Sequence, residues 1–361
     1  MKPFAERIKP SRIILPVLIG IAVVVYLFYD EFKSQTFLSF HLNWSVAGYI
    51  LLAILMMVIR DLGYMWRIRI LSLHKFSWRN AFNINFLWEF TSAITPSAVG
   101  GTSLAIIYVY KEGLKLGRST ALVLATAFLD ELYFIVMFPL LVFTVGYSSL
   151  FSLSHLADGD VFNRYFYFAT IGYTVKFIFV GLIAYGLFIS PKAIHRLLQQ
   201  IFRIRFLRRW QNKADDTGKN IVESSAVLKQ QGFLFWLKSF FASFLSWTAR
   251  YLVVNFLLLA LLSSLNSEAY VSALSFSEQL LLFARQLVMW IMLLVMPSPG
   301  GSGFAELIFS DYLSNIIPLG YVGLMALLWR MITYYPYLII GAFLVPKWGM
   351  KHFGKKENIG L

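Results

Sequence analysis

The sequence predicts an all-α, polytopic membrane protein: about six full spans plus two re-entrant helical hairpins, arranged as an inverted-topology repeat. Three observations carry this. Apolar residues make up 58% of the 361 and charged residues only 14%, against about one-quarter charged in a soluble domain. Several runs reach the roughly 20 apolar residues that cross a bilayer. Two further apolar stretches are interrupted by Pro and Gly at their centres, at "TPSAVGG" (95–101) and "MPSPGGSG" (296–303), and such residues do not continue a helix.

The elements follow in chain order. "IILPVLIGIAVVVYLFY" follows the basic start "MKPFAERIKPSR". It has the look of a signal peptide but lacks a small-residue cleavage site, so it reads as a retained first span at 13–29. Full spans are expected at 45–66, 119–146, 164–189, 239–263 and 321–345. The broken stretches occupy 80–110 and 278–312. The repeat halves are then 45–146 and 239–345, joined by the span at 164–189 and the loop 190–231, with a tail at 346–361.

Charge sets the orientation. Lys2, Arg7, Lys9 and Arg12, then Arg67, Arg69, Lys75 and Arg79, lie in segments expected to be cytoplasmic, since Lys and Arg are retained on that side. The first broken stretch has basic flanks at both ends, Arg79 on one side and Lys111, Lys115 and Arg118 on the other, so it is expected to dip in from the cytoplasm. "LADGD" (156–160) is acidic and falls outside. The loop 190–231 is strongly basic and falls inside. The second broken stretch is flanked by "SSLNSEAYVSALSFSEQ" and "SDYLSNIIP", which hold no Lys or Arg, so it is expected to enter from outside. Lys347, Lys351, Lys355 and Lys356 return the C-terminus to the inside. Both termini are thus expected in the cytoplasm, in a cell (inner) membrane.

The two hairpins relate by a constant offset. Gly100–Gly101 and Gly300–Gly301 are 200 residues apart. At that offset the span 45–66 falls on 245–266, and 119–146 on 319–346. Two triplets of span, hairpin and span running in opposite directions form the layout of many secondary transporters.

A helix starting after each break, near Thr102 and near Ser302, directs its first amides into the membrane interior. A helix N-terminus is suited to an anion, phosphate above all. Gly100, Gly101, Thr102 and Ser103 on one side, and Gly300, Gly301, Ser302 and Gly303 on the other, are the expected substrate-binding residues. The alternative is a hairpin tip packed tightly through its glycines. Arg250 and Arg285 are the bases expected to meet an anionic head group, because guanidinium forks phosphate. Asp130, Glu131, Glu306 and Arg330 are expected to gate, to relay protons or to form ion pairs, and Lys176 to support the core. Glu89 lies on the first hairpin. Asp130 and Arg330 occupy equivalent positions at the offset of 200, and are expected to line a central cavity.

Chemistry of other kinds is poorly supplied. There is no Cys, and the five His are scattered, so neither a metal site nor a cofactor is expected. The net charge of +14 is the cytoplasmic bias of a membrane protein rather than a nucleic-acid footprint. The segment "PKAIHRLLQQIFRIRFLRRW" (191–210) mixes apolar side chains with Arg, as an interfacial helix on anionic lipid does.

"MPSPGGSGFAELIFSDYL" resembles the Pro-x-Pro-Gly-Gly-x-Gly-x-x-Glu signature of the lysylphosphatidylglycerol synthase transmembrane, or flippase-like, family. "ITPSAVGGTSLAIIYVYKEGLKLGRSTALVLATAFLDELY" looks like that family's first Gly-rich segment, and "LLWRMITYYPYLIIGAFL" like its closing Arg-x-x-Thr-Tyr helix. The likeness runs over about residues 11–348. Gly300, Gly301, Gly303, Glu306 and Arg330 match directly. "TSLAIIY" departs from the Glu and Arg that often follow the first Gly-Gly, which leaves backbone and hydroxyl groups to recognise a ligand there. The resemblance implies movement of an anionic, phosphate-headed lipid between leaflets, without the soluble domain that makes aminoacyl lipid. The rival readings are a membrane-embedded lipid-modifying transferase, an ion or small-solute transporter, and an accessory subunit.

Overall fold

The computed structural model describes residues 41–95, 98–151, 159–190, 225–265, 275–293, 304–318 and 320–353, with isolated positions between 192 and 222. The expected span at 13–29, the break "SPGGSG" with Gly300, Gly301, Ser302 and Gly303, and most of the basic segment 191–210 lie outside the described residues.

The elements are all helical among the described residues: α1 (Trp44–Leu71), α2 (Trp78–Ile94), α3 (Ala98–Lys111), α4 (Leu116–Val145), α5 (Tyr147–Phe151), α6 (Gly159–Ala184, continuing in a π turn to Ile189), α7 (Phe233–Ser264), α8 (Phe276–Leu293), α9 (Phe304–Leu313), α10 (Val322–Thr333) and α11 (Tyr335–Phe353). Six stretches among them are long and apolar enough to cross a membrane: 44–71, 116–145, 165–189, 233–264, 276–293 and 322–352. In hydrocarbon a helix satisfies its own backbone polar groups, so apolar length translates into helix.

Local chemistry sets the ends. The Asn43 side chain accepts from the Val46 amide at 2.8 Å and caps α1, and Ser77 accepts from the Asn80 amide at 3.2 Å and caps α2. Both satisfy first-turn donors that the helix leaves orphaned. Between α1 and α2 the chain turns through left-handed Leu73 and His74, with φ of 55° and 57°.

α1 and α7 are packed antiparallel along their whole length. Asn43 Nδ2 donates to the Ser263 carbonyl at 3.0 Å at one end. Ser246 Oγ donates to the Arg60 carbonyl at 2.9 Å further along, and Arg67 donates to Ser243 Oγ at 2.7 Å near the other. Small residues permit the approach: Ser239, Ala242, Ser243 and Ser246 recur on one face of α7, all fully buried. Gly63 on α1 lies against them, where an added Cβ would stand 2.3 Å from Ser246 Oγ and 3.0 Å from the Ala242 carbonyl. Close backbone packing through small residues is how helices associate where lipid removes the hydrophobic drive between them.

α2 and α3 fold back on each other. Their base is closed by Asn83 Nδ2, which donates to Glu112 Oε1 at 3.1 Å. Trp348 Nε1 of α11 donates to the same oxygen at 2.7 Å. The start of α2 and the end of α3 therefore lie side by side. α11 also packs on α2, with Gly341 against the Phe90 ring.

Two expectations need correction. The sequence reading starts the helix after the first break near Thr102, whereas α3 begins at Ala98, so the glycine pair lies inside its first turns. Gly costs a helix only about 1 kcal/mol, and packing asks for it here: a Cβ on Gly101 would fall 2.1 Å from Ser92 Oγ and 2.9 Å from Ser92 Cα. Arg67, assigned to a cytoplasmic loop, is buried in a continuous 28-residue α1. The closing span, expected at 321–345, is present over 322–352 and is built of two helices that meet at Tyr334 (φ −130°, ψ −56°), where Pro336 in the first turn of α11 has no amide to give back to α10.

Candidate functional site

Arg60, Tyr64 and Arg67 share one face of α1, at the spacing that stacks side chains on a helix. Both guanidiniums lie over the Tyr64 ring, with Cζ at 4.6 Å for Arg60 and 4.5 Å for Arg67 from its centroid. The two cations are spread apart by the ring, and each then meets carboxylates from other elements.

Arg60 donates to Asp61 at 2.7 Å, to Glu89 of α2 at 2.5 Å and to the Tyr337 hydroxyl of α11 at 2.7 Å. The Tyr337 hydroxyl in turn donates to Asp61 at 2.9 Å, and Asn85 Nδ2 donates to it at 3.2 Å. Arg67 holds Asp130 of α4 through both terminal nitrogens, at 2.5 and 3.1 Å. Trp247 Nε1 of α7 donates to the same carboxylate at 2.7 Å. Glu131, the next residue on α4, pairs with Lys176 of α6 at 2.6 Å, and that ammonium lies over Phe134 at 4.3 Å.

The exposure is unequal. The side chains of Arg60, Arg67 and Lys176 are each 2% exposed, while Asp61, Asp130, Glu131 and Glu89 are 14, 19, 19 and 25% exposed. The bases are sealed in and the carboxylates keep an open edge.

Arg250 on α7 is the exception among these cations. It is half-buried and rests on aromatic faces, 4.6 Å from the Trp290 centroid and 5.7 Å from that of Trp247. Among the described residues no carboxylate pairs with it. A guanidinium held over indoles keeps its in-plane donors for another acceptor.

Arg285 is placed differently from Arg250. It is 1% exposed. Its guanidinium donates to the Tyr312 carbonyl at 3.2 Å, to the Ser149 carbonyl at 2.8 Å and to Asn315 Oδ1. It thereby ties α8 to the end of α9 and to α5. Glu306 and Arg330 form a buried pair between α9 and α10, with Nε to Oε1 at 2.8 Å and a second contact at 3.3 Å. The Arg330 guanidinium also lies over Trp329 and Tyr334, at 4.7 and 4.8 Å. Tyr334 then donates to the Ala93 carbonyl at 3.1 Å, reaching the end of α2.

Asp130, Glu131, Glu306 and Arg330, the sequence-expected gating or ion-pair residues, are thus all in ion pairs. Asp130 and Arg330 belong to separate clusters. At the first break Gly101 is buried, Thr102 half-buried and Ser103 exposed. Arg60, Asp61 and Arg67 were missed as site residues. The signal was available: "VIRDLGYMWRIRI" carries four charges inside an apolar run, and three of them, Arg60, Asp61 and Arg67, fall within two helical turns.

An all-helical bundle with apolar outer faces and charge pairs sealed between its spans defines a polytopic membrane protein. Residues 13–341 match the family model of the lysylphosphatidylglycerol synthase TM region, and the chain belongs to that family. It is also similar to a UPF0104 membrane protein of Archaeoglobus fulgidus, at 25% identity over 352 residues, covering 91% of this chain and 94% of that one. No solved structure matches it.

Proposed function

We propose that the protein moves an anionic, phosphate-headed lipid, or a molecule linked to such a lipid, from one leaflet to the other. The observation that carries this reading is Arg250: a guanidinium on two indole faces, half-open, with no carboxylate on it among the described residues. Three neighbouring cations in the same bundle are consumed by acids at 2.5 to 2.7 Å. An unpaired charge at membrane depth is expensive, and polytopic proteins retain one where it meets a substrate or ion. A phosphate satisfies the fork that this arginine holds out.

Two further features support a carrier. At about 1.5 Å per residue, the 17 residues of α2 and 14 of α3 each fall short of the roughly 30 Å hydrocarbon core. That suits a hairpin entering from one face, the cytoplasmic one. The helices starting at Trp44 and Trp78 belong to the first proposed half and those starting at Phe233 and Phe276 to the second. Alternating access in repeat-built transporters rocks one half against the other. In this reading the basic segment 191–210 gathers anionic lipid on the cytoplasmic side of the cell membrane, and both termini lie there.

The test is reconstitution into liposomes containing fluorescently tagged phosphatidylglycerol, with quenching of the outer leaflet by a membrane-impermeant reductant. The expected result is a protein-dependent rise in the quenched fraction beyond the outer-leaflet share, lost in Arg250→Ala. Equal traces for protein-containing and empty liposomes, across anionic lipids of differing head group, overturn the reading. Formation of a modified lipid from an activated donor by the purified protein would favour a transferase instead.

A further inference from the structure

Trp247 makes two contacts of different kinds. Its indole edge donates from Nε1 to Asp130 of α4 at 2.7 Å. Its face carries Arg250, whose Cζ stands 5.7 Å from the ring centroid. The two residues are three apart on α7, the spacing of neighbours on one helix face. One side chain therefore touches both the Arg67–Asp130 clasp and the arginine that no carboxylate engages among the described residues. Trp290 of α8 supplies a second ring, 4.6 Å from the guanidinium. The two indole centroids are 5.5 Å apart and their planes inclined at 57°.

The links differ in how firmly they hold. A cation over a ring is attracted to the ring quadrupole rather than to one atom, so a single face leaves it room to slide. Two inclined faces close that room, provided that both are fixed. Trp247 is buried. Tyr133 and Tyr251 lie close to parallel with it, at 20° and 28° and centroid distances of 6.3 and 6.0 Å, and Phe134 meets it at 4.8 Å and 69°. These rings hold the indole plane. Rotation within that plane is set by the N–H, because a hydrogen bond to a carboxylate is short and directional. The acceptor is itself fixed, since Arg67 grips Asp130 through both terminal nitrogens.

We infer that Trp247 is the positioning residue of the anion site: its N–H bond to Asp130 orients the ring that, with Trp290, aims the Arg250 fork. This rests on the anion reading of Arg250 given above. A guanidinium that is already aimed loses less freedom when an acceptor arrives, so binding is tighter. The arrangement also crosses the two proposed halves. Asp130 stands on α4 of the first and Arg250 on α7 of the second, so a group on one half sets the pose of the binding group on the other. Parting α4 from α7 releases the indole and loosens the anion. A ligand shifts a conformational equilibrium only through unequal affinity for its two states, and this contact supplies the inequality.

Calorimetry on the detergent-solubilised full chain tests this, with short-chain phosphatidylglycerol as the probe and phosphatidylcholine of the same chains as the blank for partition into the micelle. Trp247→Phe keeps a ring and deletes the N–H. Trp247→benzothienylalanine keeps the ring size and replaces only the N–H by sulfur, so it leaves no cavity. Each is expected to weaken phosphatidylglycerol binding about three- to tenfold. An Arg250→Lys background keeps a charge but not the planar fork that the rings orient. There the same changes are expected to cost less than about twofold, since the two positions act through one contact. Undiminished binding in both Trp247 variants overturns the inference, while binding that still falls in Arg250→Ala leaves the anion reading standing. Weakening by Trp247→Phe alone assigns the effect to ring packing and overturns the N–H link, as does an equal penalty in the Arg250→Lys background. Identical titrations of the unsubstituted chain with the two lipids overturn the anion reading, and this inference with it.

Discussion

The Arg67 guanidinium grips Asp130 through both terminal nitrogens, at 2.5 and 3.1 Å, and Trp247 donates to the same carboxylate at 2.7 Å. Three helices, α1, α4 and α7, are joined at one acid. The arginine is sealed at 2% exposure, so it has no recourse to solvent if the acid is removed. Asp130→Ala is expected to destabilise the protein by about 3–5 kcal/mol, since breaking a buried pair strands a charge. The double variant Arg67→Met/Asp130→Leu is expected to recover a large part of that loss. The apparent melting temperature of the solubilised protein measures both. An Asp130→Ala protein as stable and as active as its parent removes Asp130 from the site.

Arg250 gives the opposite pattern. It has no carboxylate partner among the described residues, only ring faces. Arg250→Ala is expected to cost stability no more than about 1–2 kcal/mol, the worth of its cation–π contacts, and yet to reduce movement of tagged anionic lipid at least tenfold. Arg250→Lys keeps charge without the bidentate fork and is expected to fall between the two. Parallel melting and liposome assays on the three proteins separate these outcomes.

Gly63 tests the packing between α1 and α7. Gly63→Val places methyl groups where Ser246 Oγ and the Ala242 carbonyl already stand, 2.3 and 3.0 Å from an added Cβ. Overpacking of this kind costs about 1–3 kcal/mol. Ser246→Gly in the same chain removes the nearer obstacle and is expected to restore part of the loss, while the carbonyl clash persists. Melting temperatures of the single and double variants give the coupling, and strict additivity between them contradicts this contact.

The absence of Cys from the chain makes a direct test of the proposed hairpin practical. Lys75→Cys and Lys115→Cys flank α2 and α3, whose base is closed by Asn83 and Glu112. Both are expected to react with a membrane-impermeant thiol reagent from the same side, the cytoplasmic one. Glu278→Cys, at the start of α8, is expected to react from the opposite side. Labelling of Lys75→Cys and Lys115→Cys from different sides would mean that the pair does not form a re-entrant hairpin.

The apolar runs alone determined the class and most of the element list. Helices at 44–71, 116–145, 233–264 and 276–293 follow from hydrocarbon's refusal of unpaired backbone groups, which leaves a long apolar segment little else to form. The Pro and Gly pattern located the turn between α2 and α3 to within a few residues, and the acids Asp130, Glu131 and Glu306 stood out as ionisable groups inside apolar runs. Which charges meet was not legible. A sequence shows that Arg60, Arg67, Lys176, Arg250 and Arg330 are present, whereas pairing depends on which helix faces which, and that is settled by contacts as local as Gly63 against Ser246. Helical phase and interhelical distance turned Arg67 from a loop cation into the clasp of Asp130, and engaged Arg285 with backbone carbonyls and an amide. The same packing left Arg250 over indoles with no carboxylate on its donors among the described residues, a distinction that five like-charged residues in a string cannot express.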